Sequence, residues 1–284
     1  MSDIKAILLP FNNIQPSDAI VDTAFLIATR FESYIEGIHY RQLLPIIAGE
    51  GITLPGDYMA GFEEEARMQA EMAELAFKKM IEDRDIPFGA LDESSNVLRA
   101  GWHNMIGADS LGVGEYARLF DLSIIERHAA ETAINWKTTA ETILFESGRP
   151  IIVINNHAPK VLGNRILIAW NGSTEATRSV SAAMPFLERS EDIVILSVNG
   201  GVVSGPDGDQ LSKYLSARGI MSQHKTIDTS DSSVGKAILQ FAEDWKCDLL
   251  VKGAYTQSRL RQLVFGGPTR QIIENSSIPA LFSH

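Results

Sequence analysis

The sequence predicts an α/β protein built as two domains, each a mainly parallel five-stranded sheet with flanking helices. Three observations predict it. The chain has 284 residues, and at roughly 100–200 residues per domain that length accommodates two, each able to bury about two-thirds of its unfolded surface. Short apolar runs alternate with stretches of helical periodicity, which is the pattern of βαβ units. The runs that open and close the first half of the chain recur in the second.

The opening elements match first. Residues 5–12 (KAILLPFN) form an apolar run that ends at Asn12, and residues 165–173 (RILIAWNGS) have the same shape. Continuous apolar runs closed by turn residues read as buried parallel strands. Each leads into a helix, over about 17–31 and 174–188. Ser173 or Thr174 would cap the second helix, with Glu175 in its first turn. The closing elements match as well. Residues 121–125 (DLSII) resemble 248–252 (DLLVK), and each half ends in a helix, a proline exit (Pro150, Pro279) and a last strand. The boundary falls in 155–164, which holds Asn155, Asn156, Pro159 and Gly163, giving domains 1–155 and 164–284.

Within the second half the expected order is strand 165–170, helix 174–188, strand 192–198, short helix 207–218, strand 221–227, helix 232–245, strand 248–252, helix 268–276 and strand 279–283. Right-handed crossovers follow, and ligands of such sheets bind at the carboxyl ends of the strands, where the strand order reverses. The first half carries an insertion over 41–61. A long helix over 62–82 follows, with Glu63, Glu64 and Glu65 in its first turn and Lys78 and Lys79 near its end, as suits the helix dipole. Its core face should be Phe62, Ala66, Ala70, Ala73, Phe77 and Met80.

Composition bounds the function. With 45% apolar and 21% charged residues and a net charge of −11, the chain is an ordinary globular one. Its acidity argues against nucleic acid or an anionic membrane as partner. Cys247 is the one cysteine, so no intramolecular disulfide forms. It precedes a strand and should be buried and inert. No apolar run approaches the roughly 20 residues of a membrane span, and the start does not read as a signal peptide. A cytoplasmic protein is expected. The six histidines show no metal-binding spacing, and no serine sits in a nucleophile elbow.

The most informative stretch is 251–270 (VKGAYTQSRLRQLVFGGPTR). It follows a strand and ends at a helix start, with Gly267 suited to the N-cap and Pro268 to the first helical position. Exposed N–H groups there make an anion site. Gly253 would let the backbone approach a sugar or phosphate. Arg259, Arg261 and Arg270 add positive charge. A glycine-rich segment, 200–208, follows the second strand on the same face, either as a solvent loop or as a cover for a ligand.

This stretch resembles the universal stress protein family, whose nucleotide-binding members carry G-x2-G-x9-G-[ST] after the fourth strand. Gly253 and Gly266 fall on the first and third glycines. Thr256 stands at the second, and Gly267 stands at the final Ser/Thr position, where Thr269 could supply the hydroxyl. Asn171 holds the place of an acidic residue that faces adenine and ribose, with Asn12 its counterpart. The resemblance implies a tandem protein of two Rossmann-like, adenine nucleotide alpha-hydrolase-like domains. It implies ATP, ADP or AMP as ligand, with or without Mg2+. The contacts would come from Asn171, Gly172, Ser173, Gly253, Thr256, Arg259, Gly266, Gly267, Thr269 and Arg270.

In the first half Glu126-Arg127-His128 replaces the glycine loop, and carboxylates beside a phosphate are unfavourable, so that half is not expected to bind ATP in the family's manner. No catalytic residue is assigned, and hydrolysis should be slow at most, since the signature loops of related ATP-pyrophosphatases and nucleotidyl transferases are missing. The resemblance also implies a pseudo-dimer of the two halves, with Ile151–Ile154 pairing against 280–282, while a homodimer and protein partners are left open by the sequence. The alternative is an interaction module that binds no nucleotide.

Overall fold

The computed structural model describes residues 3–12, 16–40, 56–92, 97–105, 110–128, 136–229, 233–254 and 267–284. Its described strands form one ten-stranded sheet in the order β3-β2-β1-β4-β5-β10-β9-β6-β7-β8. In chain order these are β1 (Ala6–Asn12), β2 (Tyr34–Tyr40), β3 (Arg99–Met105), β4 (Leu122–Glu126), β5 (Ile151–Ile154), β6 (Arg165–Ala169), β7 (Asp192–Val198), β8 (Gln223–Ile227), β9 (Leu249–Gly253) and β10 (Ala280–Ser283).

Each half repeats the same path, outward from its first strand to the second and third, then back to the fourth and fifth. All pairs within a half are parallel. The halves meet through one antiparallel pair, β5 with β10, in the register Ala280↔Val153, Leu281↔Ile152 and Phe282↔Ile151. This is the pairing expected of the two last strands. It gives each of them a partner on both sides, so neither is left as a bare edge.

The register proves the repeat residue by residue. Ile7 pairs with Leu122, and Ile166 with Leu249. Glu126 and Gly253 therefore occupy the same place on equivalent strands, as do Asp121 and Asp248. The two aspartates also do the same work. Asp121 accepts from the backbone N–H of Lys5 at 2.8 Å and of Ala6 at 3.1 Å. Asp248 accepts from Gly163 at 2.7 Å, Asn164 at 3.0 Å and Arg165 at 3.0 Å. Each carboxylate clamps the start of its half's first strand to its fourth.

Alternation along the strands sends side chains to two layers. Ile7, Leu9, Phe11, Ile166, Ile168 and Val251 pack under α1 (Asp18–Phe31), α2 (Gly56–Glu82), α5 (Thr174–Leu187) and α6 (Gly208–Ser216). Leu8, Ile38, Leu167, Leu250 and Phe282 pack under α3 (Ser110–Tyr116), α4 (Trp136–Glu146), α7 (Val234–Asp244) and α8 (Pro268–Asn275). The halves also touch through α1 and α5. Phe31 meets Phe186 edge-on at 5.2 Å, and the Arg30 guanidinium donates to the carbonyls of Leu162 (2.8 Å) and Arg189.

One boundary differs from expectation. Helix α2 starts at Gly56, directly after Pro55, rather than at Phe62. The expected insertion therefore shrinks to 41–55, which lies outside the described residues. Along α2, Ala73 and Phe77 are buried as expected, with Ile81 completing the face. Met80 packs at the margin of the core. The side chains of Phe62 and Ala66 lie outside the described residues. Among the described residues no helix is long and apolar enough to cross a membrane.

Candidate functional site

The candidate site lies at the carboxyl ends of β6 and β9, the switch point of the second half. Thr256, Arg259 and Gly266 lie outside the described residues. Asn171, Gly172 and Ser173 form the turn from β6 into α5. Asn171 Oδ1 accepts from Ser173 N–H at 3.2 Å, an Asx turn. The Ser173 hydroxyl then caps α5 by accepting from Ala176 N–H at 3.1 Å. Gly172 takes φ +83°, a left-handed conformation that a side chain would disfavour. The glycine-rich segment after β7 rests on this turn, through Val203 N–H to Asn171 O at 2.9 Å and the Trp170 indole N–H to Pro206 O at 2.8 Å.

Gly253 ends β9 beneath the first turn of α5. A Cβ on it would fall 2.3 Å from the backbone nitrogen of Ala176 and 2.6 Å from the carbonyl carbon of Glu175. The approach of helix to strand therefore demands glycine here, whatever ligand binds.

Across the site, α8 begins at Gly267, which serves as N-cap with no side-chain capping bond, and Pro268 opens the helix. The first-turn N–H groups of such a helix carry the positive end of its dipole. Thr269 is buried, and its hydroxyl accepts from the Lys252 ammonium at 3.1 Å. Lys252 also donates to Gly253 O at 2.8 Å. Burial pushes the Lys252 ammonium down to about 8, an effect that the Glu175 carboxylate partly offsets. Glu175 itself is held below the usual carboxylate range. Desolvation works against that, and hydrogen bonds from its own backbone, Thr174 and Ser173 outweigh it.

Asn171, Gly172, Ser173, Gly253, Gly267 and Thr269 thus share one end of the sheet. Arg270 is turned along its helix, with its Nε donating to Glu274 at 3.0 Å. Lys252 is the residue that sequence reading missed. Its signal was a single charge at the end of an apolar parallel strand, just before a glycine.

The corresponding end of the first half is built differently. Glu126 is buried at the position of Gly253, and its carboxylate accepts a hydrogen bond from the Ser17 hydroxyl. Ser17 is the N-cap of α1 and accepts from Ile20 N–H at 3.3 Å. The negative charge expected to repel a phosphate is thus also tied to the helix start where a phosphate would otherwise be drawn. Cys247, as expected, is buried, and burial pushes its thiol up to about 12. Among the described residues no group of three or more His, Cys, Asp or Glu could hold a metal ion.

Residues 163–284 match the family model described as the universal stress protein family. The second half belongs to the universal stress protein family. A universal stress protein from Synechocystis is 46% identical over 46 residues, a match that spans 16% of this chain and 16% of that protein. The whole chain superposes on solved universal stress proteins. One from Archaeoglobus fulgidus has a TM-score of 0.68 at 17% identity, covering 98% of this chain and 95% of that one. A protein from Pseudomonas aeruginosa, described as a putative universal stress protein, has a TM-score of 0.55 at 14% identity, covering 99% and 93%. At such identities these two show the fold, and they extend it over the first half. The Asx turn, the capping Ser173 and the start of α8 thus lie within the residues that the family model matches, and in the other half Glu126, bonded to Ser17, stands at the position of Gly253.

Proposed function

We propose that the chain is a stress-response protein of two domains, 1–155 and 164–284, that senses an adenine nucleotide through the second and has no such site in the first. The observation that carries this reading is the start of α8. Its N-cap is Gly267, which brings no side-chain capping bond of its own, and the helix starts beside the buried Lys252 ammonium and the Thr269 hydroxyl. That combination favours an anion through backbone N–H groups and one desolvated cation. The phosphates of ATP, ADP or AMP, with or without Mg2+, would lie there, with Thr256, Arg259, Gly266, Gly267 and Arg270 around them. Asn171, Gly172 and Ser173 would meet the ribose and base. A cytoplasmic setting and further self-association belong to the same proposal.

The test is to denature the purified protein, identify released nucleotide by mass spectrometry, and titrate ATP, ADP and AMP calorimetrically. Bound nucleotide that is lost in Gly266→Asp supports the reading. No nucleotide and no heat at about millimolar ligand sinks it.

A second reading has its own observation. Met68, Met72 and Leu75 are exposed along α2, and an apolar stripe of that kind suits a module that works through a protein partner. Nucleotide-independent capture of a partner, abolished by Met72→Glu, would favour it.

A further inference from the structure

A second cleft opens where the two halves meet, on the opposite layer from α1. Its volume is about 510 Å³, and its lining includes Arg127, His128, Trp136, Lys137 and Asn155 from the first half and Glu274 from the second. Arg127 directly follows Glu126, so its side chain leaves the other face of the sheet. Its guanidinium is half-buried and makes one hydrogen bond, to Ile273 O at 3.3 Å. Among the described residues no carboxylate lies within ion-pair range of it, and burial without a compensating charge lowers its pKa. The His128 Nε2 beside it is buried with no hydrogen-bond partner. A half-buried cation and a buried ring nitrogen, both under-satisfied in one cleft, carry a desolvation cost that a bound acceptor would relieve. The single lining carboxylate, Glu274, is already shared between Lys137 at 2.6 Å and Arg270 at 3.0 Å. Two lining cations, Arg127 and Lys137, against one carboxylate leave an excess of positive charge at this spot, in a chain whose net charge is −11.

We propose that this cleft between the halves binds a small dianionic phosphate group, held by Arg127 and Lys137 with His128 as the third contact. Arg127 supplies a planar fork suited to two phosphate oxygens, and Lys137 supplies a mobile point charge. The site uses side chains rather than a glycine loop, and it needs the second half, because α8 brings Glu274 to position Lys137. It is independent of whether the second half binds nucleotide.

The Trp136 indole N–H donates to His128 O at 3.0 Å, so its NMR signal reports on the cleft. Inorganic phosphate is titrated into the full chain at constant ionic strength, with the Trp136 signal assigned through Trp136→Phe. The expected result is a saturable shift with a Kd of about 1 mM or tighter, weakened roughly tenfold or more in Arg127→Gln and in Lys137→Gln. Lys137 is half exposed, so its variant keeps the test valid if Arg127→Gln fails to fold. An unmoved Trp136 signal, an equal shift with chloride, or a shift untouched by Lys137→Gln would overturn the proposal.

Discussion

Glu126 and Ser17 are joined across the first half by a hydrogen bond from the serine hydroxyl to the carboxylate, at the register position where the second half has Gly253 packed against the first turn of α5. One residue thus separates the two halves. The pair should be coupled in stability. Ser17→Ala and Glu126→Gln are each expected to cost about 1–2 kcal/mol. A double-mutant cycle by urea unfolding should give a coupling of at least ~0.5 kcal/mol, and simple additivity would show that the contact contributes nothing.

Gly253→Ala should destabilise the protein before it affects any ligand. Its Cβ would fall on the backbone of α5, and overpacking of that kind costs roughly 1–3 kcal/mol. Denaturant unfolding measures this, and a wild-type midpoint would show that α5 yields freely. The consequence for function is practical. Loss of nucleotide in a Gly253 variant reports on packing, so Gly266 is the better position to probe.

Lys252 sets a pH dependence whose sign follows from its lowered pKa. The unfolded lysine titrates near 10.5 and the folded one near 8. Between those values the unfolded chain holds more protons, so this group's contribution to stability rises with pH in that window and is constant below it. Lys252→Met removes the effect. Its stability relative to wild type should decline as pH rises from 8 to 10.5, by on the order of 1–3 kcal/mol. Every other titrating group is common to both proteins, so the difference between the two curves isolates the lysine. A difference that stays flat would mean that Lys252 is solvated.

Asp248 holds three backbone N–H groups at the start of β6. Asp248→Ala leaves them without their acceptor and should cost about 2–4 kcal/mol. Asp121→Ala, which frees two, should cost less. Thermal unfolding of the two variants ranks them, and the reverse order would contradict the equivalence of the clamps.

Much of the fold was legible because parallel strands buried on both faces are near-continuous apolar runs, as in 5–12 and 165–170, and because proline exits marked both last strands. The pairing of β5 with β10 followed from that symmetry. The start of α2 was not legible. Residues 56–61 hold two glycines and no capping signal, and the helix forms there nonetheless. Lys252 was passed over because it sits in a strand whose other residues are apolar, and only burial shows its ammonium turned onto Thr269. Glu126 was legible as a negative charge, but its bond to Ser17 joins residues 109 positions apart, and no local pattern encodes that.

The most direct test of the central claim, one nucleotide site per chain and that site in the second half, is photoaffinity labelling with an azido-ATP followed by peptide mapping. The expected result is a single ATP-protectable label among peptides of residues 165–283, at about one per chain. Label in peptides of residues 6–154, or no protectable label at about millimolar nucleotide, would contradict it.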